Sequence, residues 1–521
     1  MNPPAKRAIV IGMDGASMEL VSRMMDGGHM PNLAALAGRG VRRPMIGVFP
    51  TLTPPGWTAT STGSWPGNHE VMDFNIRKPG GRLDETVWGI DTGLSKSEYL
   101  WNAMERAGRK PILVKWEMSW PPTVRDGVQV EGTGPGVSNV HQIAGYHLFV
   151  SGDWKPRPVG GERDPETLDP SALQTIEVAD PVRIKAAGSR NWKNLPESQM
   201  PPRAVDLTVR PLTRGRKPRG STAKPKTYYG LAYASGGDGY DRLLVCRDRD
   251  CGAAVAELSE GQWSEWWRDT FLIDGEEIDG YVQAKLVAMP PGLERFELFM
   301  PQIWPAVGYT APVPLSRELD EEVGNFLQNP ARDALGVVDD DTYFELLDFH
   351  HQRLADVAGY LTGSREWDIL FIESHAPDYA SHFFLAQADE VSGADPGTLA
   401  RCREGLERTF ASVDAMIGRV AALADDDTVC LVVSDHGGTP TQYGAVNVSK
   451  VLEETGFLTG REGGGIDWER TIAADVGLVH IFINLEGREP TGIVAPEEYR
   501  QTQLDIIAAL HGYVDEKTGL C

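Results

Sequence analysis

Three segments of this chain end an apolar, strand-like run in residues that bind divalent cations. Ala8-Ile-Val-Ile-Gly-Met13 runs into Asp14-Gly15, and Asp368-Ile-Leu-Phe-Ile372 leads to Glu373-Ser-His-Ala-Pro-Asp378-Tyr-Ala-Ser-His382. Thr428-Val-Cys-Leu-Val-Val433 continues directly into Ser434-Asp435-His436-Gly437-Gly438. Asp378 and His382 stand four residues apart, so a helix would present both on one face, a suitable pair for one ion. Asp435 and His436 are adjacent, and at a strand-to-loop turn they can point to two ions a few Å apart. Alone, a strand-end Asp is often a turn or cap residue, and an isolated Asp-His pair is a frequent coincidence. The metal reading rests on all three occurring at strand ends, where open α/β sheets build their sites.

A site of this kind needs a nucleophile, and the Thr- and Ser-rich stretch at 50–70 supplies candidates. Thr53 precedes Pro54-Pro55. A proline in the first helical position would make Thr53 the N-cap of a helix. The positive end of that helix and a bound cation would both stabilise the alkoxide needed for attack on phosphorus. A plain N-cap threonine is the simpler reading, and only the company of the metal ligands overturns it. Trp57, one turn on, is read as packing or as pocket lining.

These residues need a sheet to hold them. Short apolar strands alternate with helical stretches at both ends of the chain, which implies a mainly parallel sheet with crossover helices. Strands are expected at 8–13, 111–115, 368–372 and 428–433, and helices near 30–40, 342–362 and 398–424. Between 156 and 335 the rhythm is lost to dense Pro, Gly and charge, which marks an inserted cap. Within it, 281–288 and 295–300 read as a β-hairpin around Met289-Pro-Pro-Gly. The expected organisation is therefore 1–155 and 336–521 as two parts of one α/β catalytic core, with 156–335 as the cap.

The chain has 521 residues, 41% hydrophobic and 24% charged, which excludes a single small domain as well as wholesale disorder. Fifty Lys and Arg against 74 Asp and Glu give a net charge of -24, which argues against nucleic-acid binding. An anionic substrate would need a locally reversed field, and bound metal is one source. A basic run from Arg210 to Lys226, with Arg214, Arg216, Lys217, Arg219 and Lys224, is read as a solvated loop, with a substrate-attracting lid as the alternative. No stretch has signal-peptide or membrane-spanning length, so a cytoplasmic protein without membrane association is expected. Five scattered cysteines do not form a disulfide framework. Cys246 and Cys251 are read as flanking a turn between strands rather than as half a zinc knuckle.

Several motifs together make a specific resemblance. Gly12-Met-Asp14-Gly15, Met30-Pro-Asn-Leu, Pro50-Thr-Leu-Thr53-Pro-Pro-Gly-Trp, Thr62-Gly63, Pro66-Gly-Asn-His69, the Asp378 to His382 pair and Ser434-Asp-His-Gly437 resemble the alkaline phosphatase superfamily. The similarity is greatest to its type I phosphodiesterase/nucleotide pyrophosphatase branch, and within it to a prokaryotic group of phosphohydrolases and phosphomutases, which Asn484-Leu-Glu-Gly-Arg-Glu-Pro-Thr-Gly-Ile-Val494 also matches. The resemblance implies an α/β/α sandwich with two divalent metals, usually zinc with manganese as the alternative, and a threonine nucleophile between them. By that resemblance Asp14, Thr53, Asp435 and His436 would hold one ion, and Asp378 and His382 the other. Thr53 would form a phospho-threonine that a hydroxide on the opposite side releases.

The chain also departs from the pattern. The branch uses an Asn three residues after the nucleophile to bind the phosphoryl group, where Gly56 stands here. Lys115, at a strand end, is the candidate to stabilise charge in its place. The second ion takes another His in relatives, from a Gly-x-His segment that this sequence does not reach. His480 is the first substitute for that ligand and His511 the second, while His69, His141, His147 and His375 are read as structural or supporting. The expected function is hydrolysis of a phosphomonoester, phosphodiester or pyrophosphate of a small molecule. The alternatives are a phosphomutase using the same site, or a weakly active binding or scaffold protein lacking a complete second metal site. A sulfatase is disfavoured, because Thr53-Pro-Pro-Gly-Trp lacks that branch's Cys or Ser followed by Pro and Arg. Oligomeric state is left open.

Overall fold

A computed structural model describes residues 5–133, 142–151, 182–183, 187–189, 191–212, 222–326, 336, 338–440 and 447–514. The chain divides into two compact units, Met1–Pro44 with Trp101–Thr439, and Met45–Leu100 with Pro440–Cys521. The fold is mixed α/β with a mostly parallel central sheet in the first unit.

That sheet contains β1 (Arg7–Met13), β2 (Pro111–Val114), β3 (Val128–Val130), β4 (Thr310–Ala311), β5 (Ile369–Ser374) and β6 (Thr428–Val433). Its order is β4-β3-β2-β5-β1-β6, parallel throughout except for the short β4 against β3. β2 and β5 are buried along their whole length and β1 over its last three residues, the expectation for a sheet covered on both faces. Ile9, Ile11, Ile112, Val114, Leu370 and Ile372 share one core with Leu354 and Leu361 of a long helix and Phe410 and Ile417 of another.

The helices follow from caps and periodicity. Ser17 caps α1 (Met18–Asp26), Asp339 caps α3 (Asp340–Ser364) and Asp395 caps α5 (Pro396–Ala421). The helix α2 (Pro31–Arg39) has no cap of its own, because Met30 offers no oxygen. The buried Asp414 of α5 takes that role, accepting from the backbone N–H of Asn32 at 2.9 Å and of Leu33 at 2.8 Å. Met30-Pro-Asn-Leu is thus a docking motif: proline opens the helix and the asparagine amide adds a 2.8 Å bond to the same carboxylate.

A second core in the first unit surrounds Phe149, Leu207, Tyr228, Leu243, Phe271 and Leu298. The expected hairpin is present as Lys285–Ala288 against Glu297–Met300, but its first arm is shorter than the sequence suggests. Tyr281 and Val282 close a different strand, Glu276–Val282, paired with Trp267–Ile273. Two strands abut with no Gly or Pro at the joint, so their apolar patterns read as one. Cys246 ends one strand and Cys251 opens the turn to the next, as expected. Arg214, Arg216, Lys217, Arg219 and His141 lie outside the described residues. Of the basic run, Lys226 pairs with Asp269.

The second unit carries helices Thr53–Thr62, Val448–Glu454 and Tyr499–Gly512 and a β-pair, Ala473–Val476 with His480–Ile483. Its core gathers Leu83, Leu452, Trp468, Ile483 and Ile506. Asn484-Leu-Glu-Gly-Arg-Glu acts as a clasp. The fully buried Asn484 amide donates to the carbonyls of Trp468 and Thr491, both at 2.8 Å, and the Glu489 carboxylate pairs with Arg77 and Arg488. Among the described residues, no helix is long and apolar enough to cross a membrane.

Candidate active site

Parallel register levels the ends of three strands in the first unit. Ala8 to Met13 pair with Ile369 to Ser374, and Arg7 to Gly12 with Thr428 to Val433. Asp14, Glu373 to His375 and Ser434 to His436 therefore leave the sheet at one edge, and the Asp14 N–H still donates to the Ser374 carbonyl at 3.1 Å. Gly15 follows with φ +63°, and a Cβ there would stand 2.9 Å from the Asp378 Cα. Both the left-handed turn and the close approach of α4 (Ala376–Ala380) require glycine. The Gly15 N–H donates to Asp435 Oδ1 at 3.3 Å, and Ser434 Oγ accepts from the Ala16 N–H at 3.0 Å.

Five of the expected ligands meet here. Asp14 Oδ1 is 3.5 Å from His436 Nε2, which is 3.4 Å from Asp435 Oδ2. A π-helical turn, Ser381–Leu385, continues α4, so Asp378 and His382 share a face with Oδ2 and Nε2 3.4 Å apart. Ligand atoms of Asp14, Asp378 and His436 converge within 4.8 Å, as do those of Asp14, Glu373 and His375. Asp14 and Glu373 are fully buried and Asp378 nearly so, while the His382 side chain is 67% exposed.

His375 holds the centre of this group. Its Nδ1 lies 2.8 Å from Asp14 Oδ2 and its Nε2 3.3 Å from Asp378 Oδ2. Burial alone would lower its pKa, but the Asp14 charge, with Tyr379 and Asp378, holds it well above the ordinary imidazole range. Burial, then the Asp14 charge, pushes Asp435 well above the usual carboxylate range. Asp378 goes the other way: burial would raise it, yet the hydrogen bond and charge of His375, with His382 and His436, bring it to about 2. Burial also raises Glu373 against the opposing Lys115 ammonium.

The arrangement fits a divalent cation. Asp435 Oδ2 is buried with no hydrogen-bond partner among the described residues, and a buried carboxylate oxygen in that state needs a proton or a cation. Oxygen and imidazole donors, with no thiolate among them, suit zinc or manganese.

Lys115 is fully buried, and its Nζ donates to Glu117 Oε1 and Glu373 Oε2, each at 2.9 Å. It neutralises the strand end that carries His375. Thr53 and His480 belong to the second unit. The first bond of the Thr53–Thr62 helix runs from the Gly56 N–H to the Leu52 carbonyl at 2.9 Å. Leu52 is therefore the cap, and Thr53 is the first helical residue rather than the expected N-cap. Thr53 is 5% exposed and Trp57 is fully buried. His480 Nε2 stands 3.1 Å from the Met72 carbonyl, and His511 lies exposed in the last turn of its helix.

His69 and His147 are buried, and burial brings both to a pKa of about 4. The His69 Nδ1 accepts from the Val71 N–H, and His147 sits between the Gly145 carbonyl and the Arg210 N–H. Both rings thus bond to backbone groups near them.

Two residues carry more than the sequence reading assigned. His375 stands three residues before Asp378 and seven before His382, the helical spacing of one face, and that pattern was the available signal. His351, buried on α3, reaches Ser374 Oγ with Nε2 at 2.7 Å and Ser412 Oγ with Nδ1 at 2.8 Å. Its signal is a histidine one turn from both Leu347 and Leu354 on an apolar stripe.

The chain also matches known proteins. The sequence profile of the family described as type I phosphodiesterase / nucleotide pyrophosphatase matches residues 8–208 and 245–519. Two crystal structures of phosphonoacetate hydrolase from Sinorhizobium meliloti 1021, with phosphonoformate and with phosphonoacetate, are 26% and 25% identical to it. Each of these matches covers 22% of this chain and 28% of the hydrolase chain, with a TM-score of 0.20. No curated protein matches the chain. The profile spans most of the sequence, site included, and the chain belongs to the type I phosphodiesterase / nucleotide pyrophosphatase family of the alkaline phosphatase superfamily.

Proposed function

We propose that the chain is a metal-dependent hydrolase of small-molecule phosphoesters, working through a phospho-threonine at Thr53. The observation that carries this reading is the convergence of Asp14 and His436, which follow adjacent parallel strands, with Asp378 of the helix that follows β5. Asp14, Asp435 and His436 would hold one ion, and Asp378 and His382 the other. Divalent cations bound there supply Lewis acidity toward phosphoryl and hydroxyl oxygens. The family's description as phosphodiesterases and pyrophosphatases supports the substrate class.

The chain's own residues do the rest. Thr53 begins its helix, where peptide dipoles favour the negative charge that its oxygen must develop. Its Oγ1 forms a bond to phosphorus as the ester P–O bond breaks and the alcohol leaves with a proton. Water then cleaves the phospho-threonine, restoring Thr53 and releasing phosphate. Lys115 keeps the Glu373 end of β5 charge-balanced, and we assign it this supporting role beside that of an oxyanion donor. The region 156–335 would serve as the cap of an alkaline-phosphatase-like sandwich and select the substrate.

Incubation with an aryl phosphate ester and rapid acid quench tests the reading. Zinc-loaded protein should carry phosphate on Thr53, found by peptide mass, and Thr53→Ala should hydrolyse no ester. Turnover by Thr53→Ala at the wild-type rate would remove Thr53 from this role.

A further inference from the structure

We propose that His351 is a positioning residue for the metal site, acting through Ser374, a proposal that rests on the metal-binding reading above. Ser374 closes β5 and is fully buried. It serves both flanks of the site. Its carbonyl accepts from the Asp14 N–H at 3.1 Å, and its Oγ accepts at 3.3 Å from the N–H of Ala376, the first residue of the helix that carries Asp378. A serine oxygen can occupy three staggered positions. The 2.7 Å bond from Ser374 Oγ to His351 Nε2 selects the one that also meets Ala376.

His351 is itself fixed from the far side. It is buried on α3, and its Nδ1–H donates at 2.8 Å to Ser412 Oγ of α5, whose hydroxyl donates to Asp348. The ring nitrogens therefore meet two hydroxyls in opposite senses, a donor at Nδ1 and an acceptor at Nε2, which sets one tautomer and one orientation. The two helices are paired on either side of this contact, Arg408 with Asp341 at 2.9 Å and Arg419 with Asp356 at 2.6 Å. Between Leu347 and Leu354, space alone is filled more cheaply by an apolar side chain, because a buried imidazole must have its nitrogens bonded. The chain Asp348–Ser412–His351–Ser374 instead carries the rigidity of the helix layer to the strand end between Glu373 and His375.

Zinc affinity by equilibrium dialysis on the full chain, with Asp378→Asn marking the ion concerned, separates positioning from packing when thermal midpoints are read on the same samples. A glutamine places its amide oxygen near the position of Nε2, and an asparagine its amide nitrogen near that of Nδ1. His351→Gln thus keeps an acceptor for Ser374, and His351→Asn keeps only the donor to Ser412. Both should lower the thermal midpoint of metal-free protein. His351→Asn should weaken the Asp378 ion by about tenfold or more, the lower end of what loss of a ligand-supporting partner costs, while His351→Gln should stay within about threefold of wild type. Ser374→Ala removes the same bond from the other end, so the test stands even if the asparagine variant unfolds. It should match His351→Asn, and the double variant should bind no more weakly than either single one. Equal losses in the glutamine and asparagine variants, wild-type affinity in Ser374→Ala, or losses that multiply in the double variant would overturn the assignment alone. No zinc bound by wild type would overturn the metal reading and this assignment with it.

Discussion

His351 and Ser374 are joined by a 2.7 Å hydrogen bond between Nε2 and Oγ, which ties the middle of α3 to the residue between Glu373 and His375. The protons can be placed. Ser412 donates its hydroxyl to Asp348, so its oxygen accepts from His351 Nδ1–H, and Nε2 is left to accept from Ser374. His351 is therefore neutral, and burial, with the Lys115 charge behind it, lowers its pKa to about 3.

Acid should loosen the site through this histidine. In the unfolded chain its pKa is about 6.5, so the stability that goes with the neutral ring is complete above that pH and falls as pH drops toward 3. Between pH 7 and 5 one such group costs about 2 kcal/mol. His69 and His147, at about 4, act in the same direction. Urea midpoints across this range should fall steeply in wild type and less steeply in His351→Gln. Equal slopes would mean that His351 is charged in the folded protein.

Gly15 is the narrowest point of the site's backbone. Alanine there meets a left-handed conformation and the Asp378 Cα at 2.9 Å. The turn alone costs about 1–2 kcal/mol, and α4 must move as well. Gly15→Ala should fold with a lowered thermal midpoint and bind zinc at least about tenfold more weakly, as dialysis would read.

Asp435 is buried in a setting that disfavours its ionised form. Its carboxylate is buried beside Asp14, and among the described residues Oδ2 has no hydrogen bond, only His436 Nε2 at 3.4 Å. In chelator-treated protein, Asp435→Asn should leave the thermal midpoint unchanged or raise it, because a buried carboxyl whose ionisation burial and Asp14 disfavour is gone. Zinc at a hundredfold excess over its Kd should stabilise wild type by about 2.7 kcal/mol and the variant far less. A full zinc-induced shift in Asp435→Asn, followed by calorimetry, would take Asp435 out of the ligand set.

Asp414 gives the Met30-Pro-Asn-Leu segment an architectural role. Its buried carboxylate takes both first-turn N–H bonds and the Asn32 amide of Met30-Pro-Asn-Leu. Asp414→Ala should cost about 2–3 kcal/mol in urea unfolding, since charged acceptors to otherwise unmet donors are lost. Residual zinc binding should be normal in the folded fraction.

Much of the site was legible because strand ends and helical spacing are local signals. Asp14, Asp378 with His382, and Asp435 with His436 each follow an apolar run or a one-turn interval, and parallel register brings them level. His375 carries the same spacing, but a histidine beside a strand end reads as packing until Asp14 is seen 2.8 Å away. Lys115 reads as a candidate to stabilise substrate charge because nothing local reveals that Glu117 and Glu373 meet its ammonium, the latter across 258 residues. The cap of the Thr53 helix was misplaced by one residue, since Pro54 and Pro55 allow the first bond to reach back to Leu52. The joint at Val282 was invisible for want of a turn residue.

The most direct measurement is hydrolysis of an aryl phosphate ester by chelator-treated protein before and after zinc or manganese is restored, with Asp378→Asn alongside. Wild type should be inactive without metal and recover when it returns, while Asp378→Asn should stay at least about 100-fold slower at saturating metal. Metal-independent hydrolysis, or full recovery by Asp378→Asn, would contradict the account.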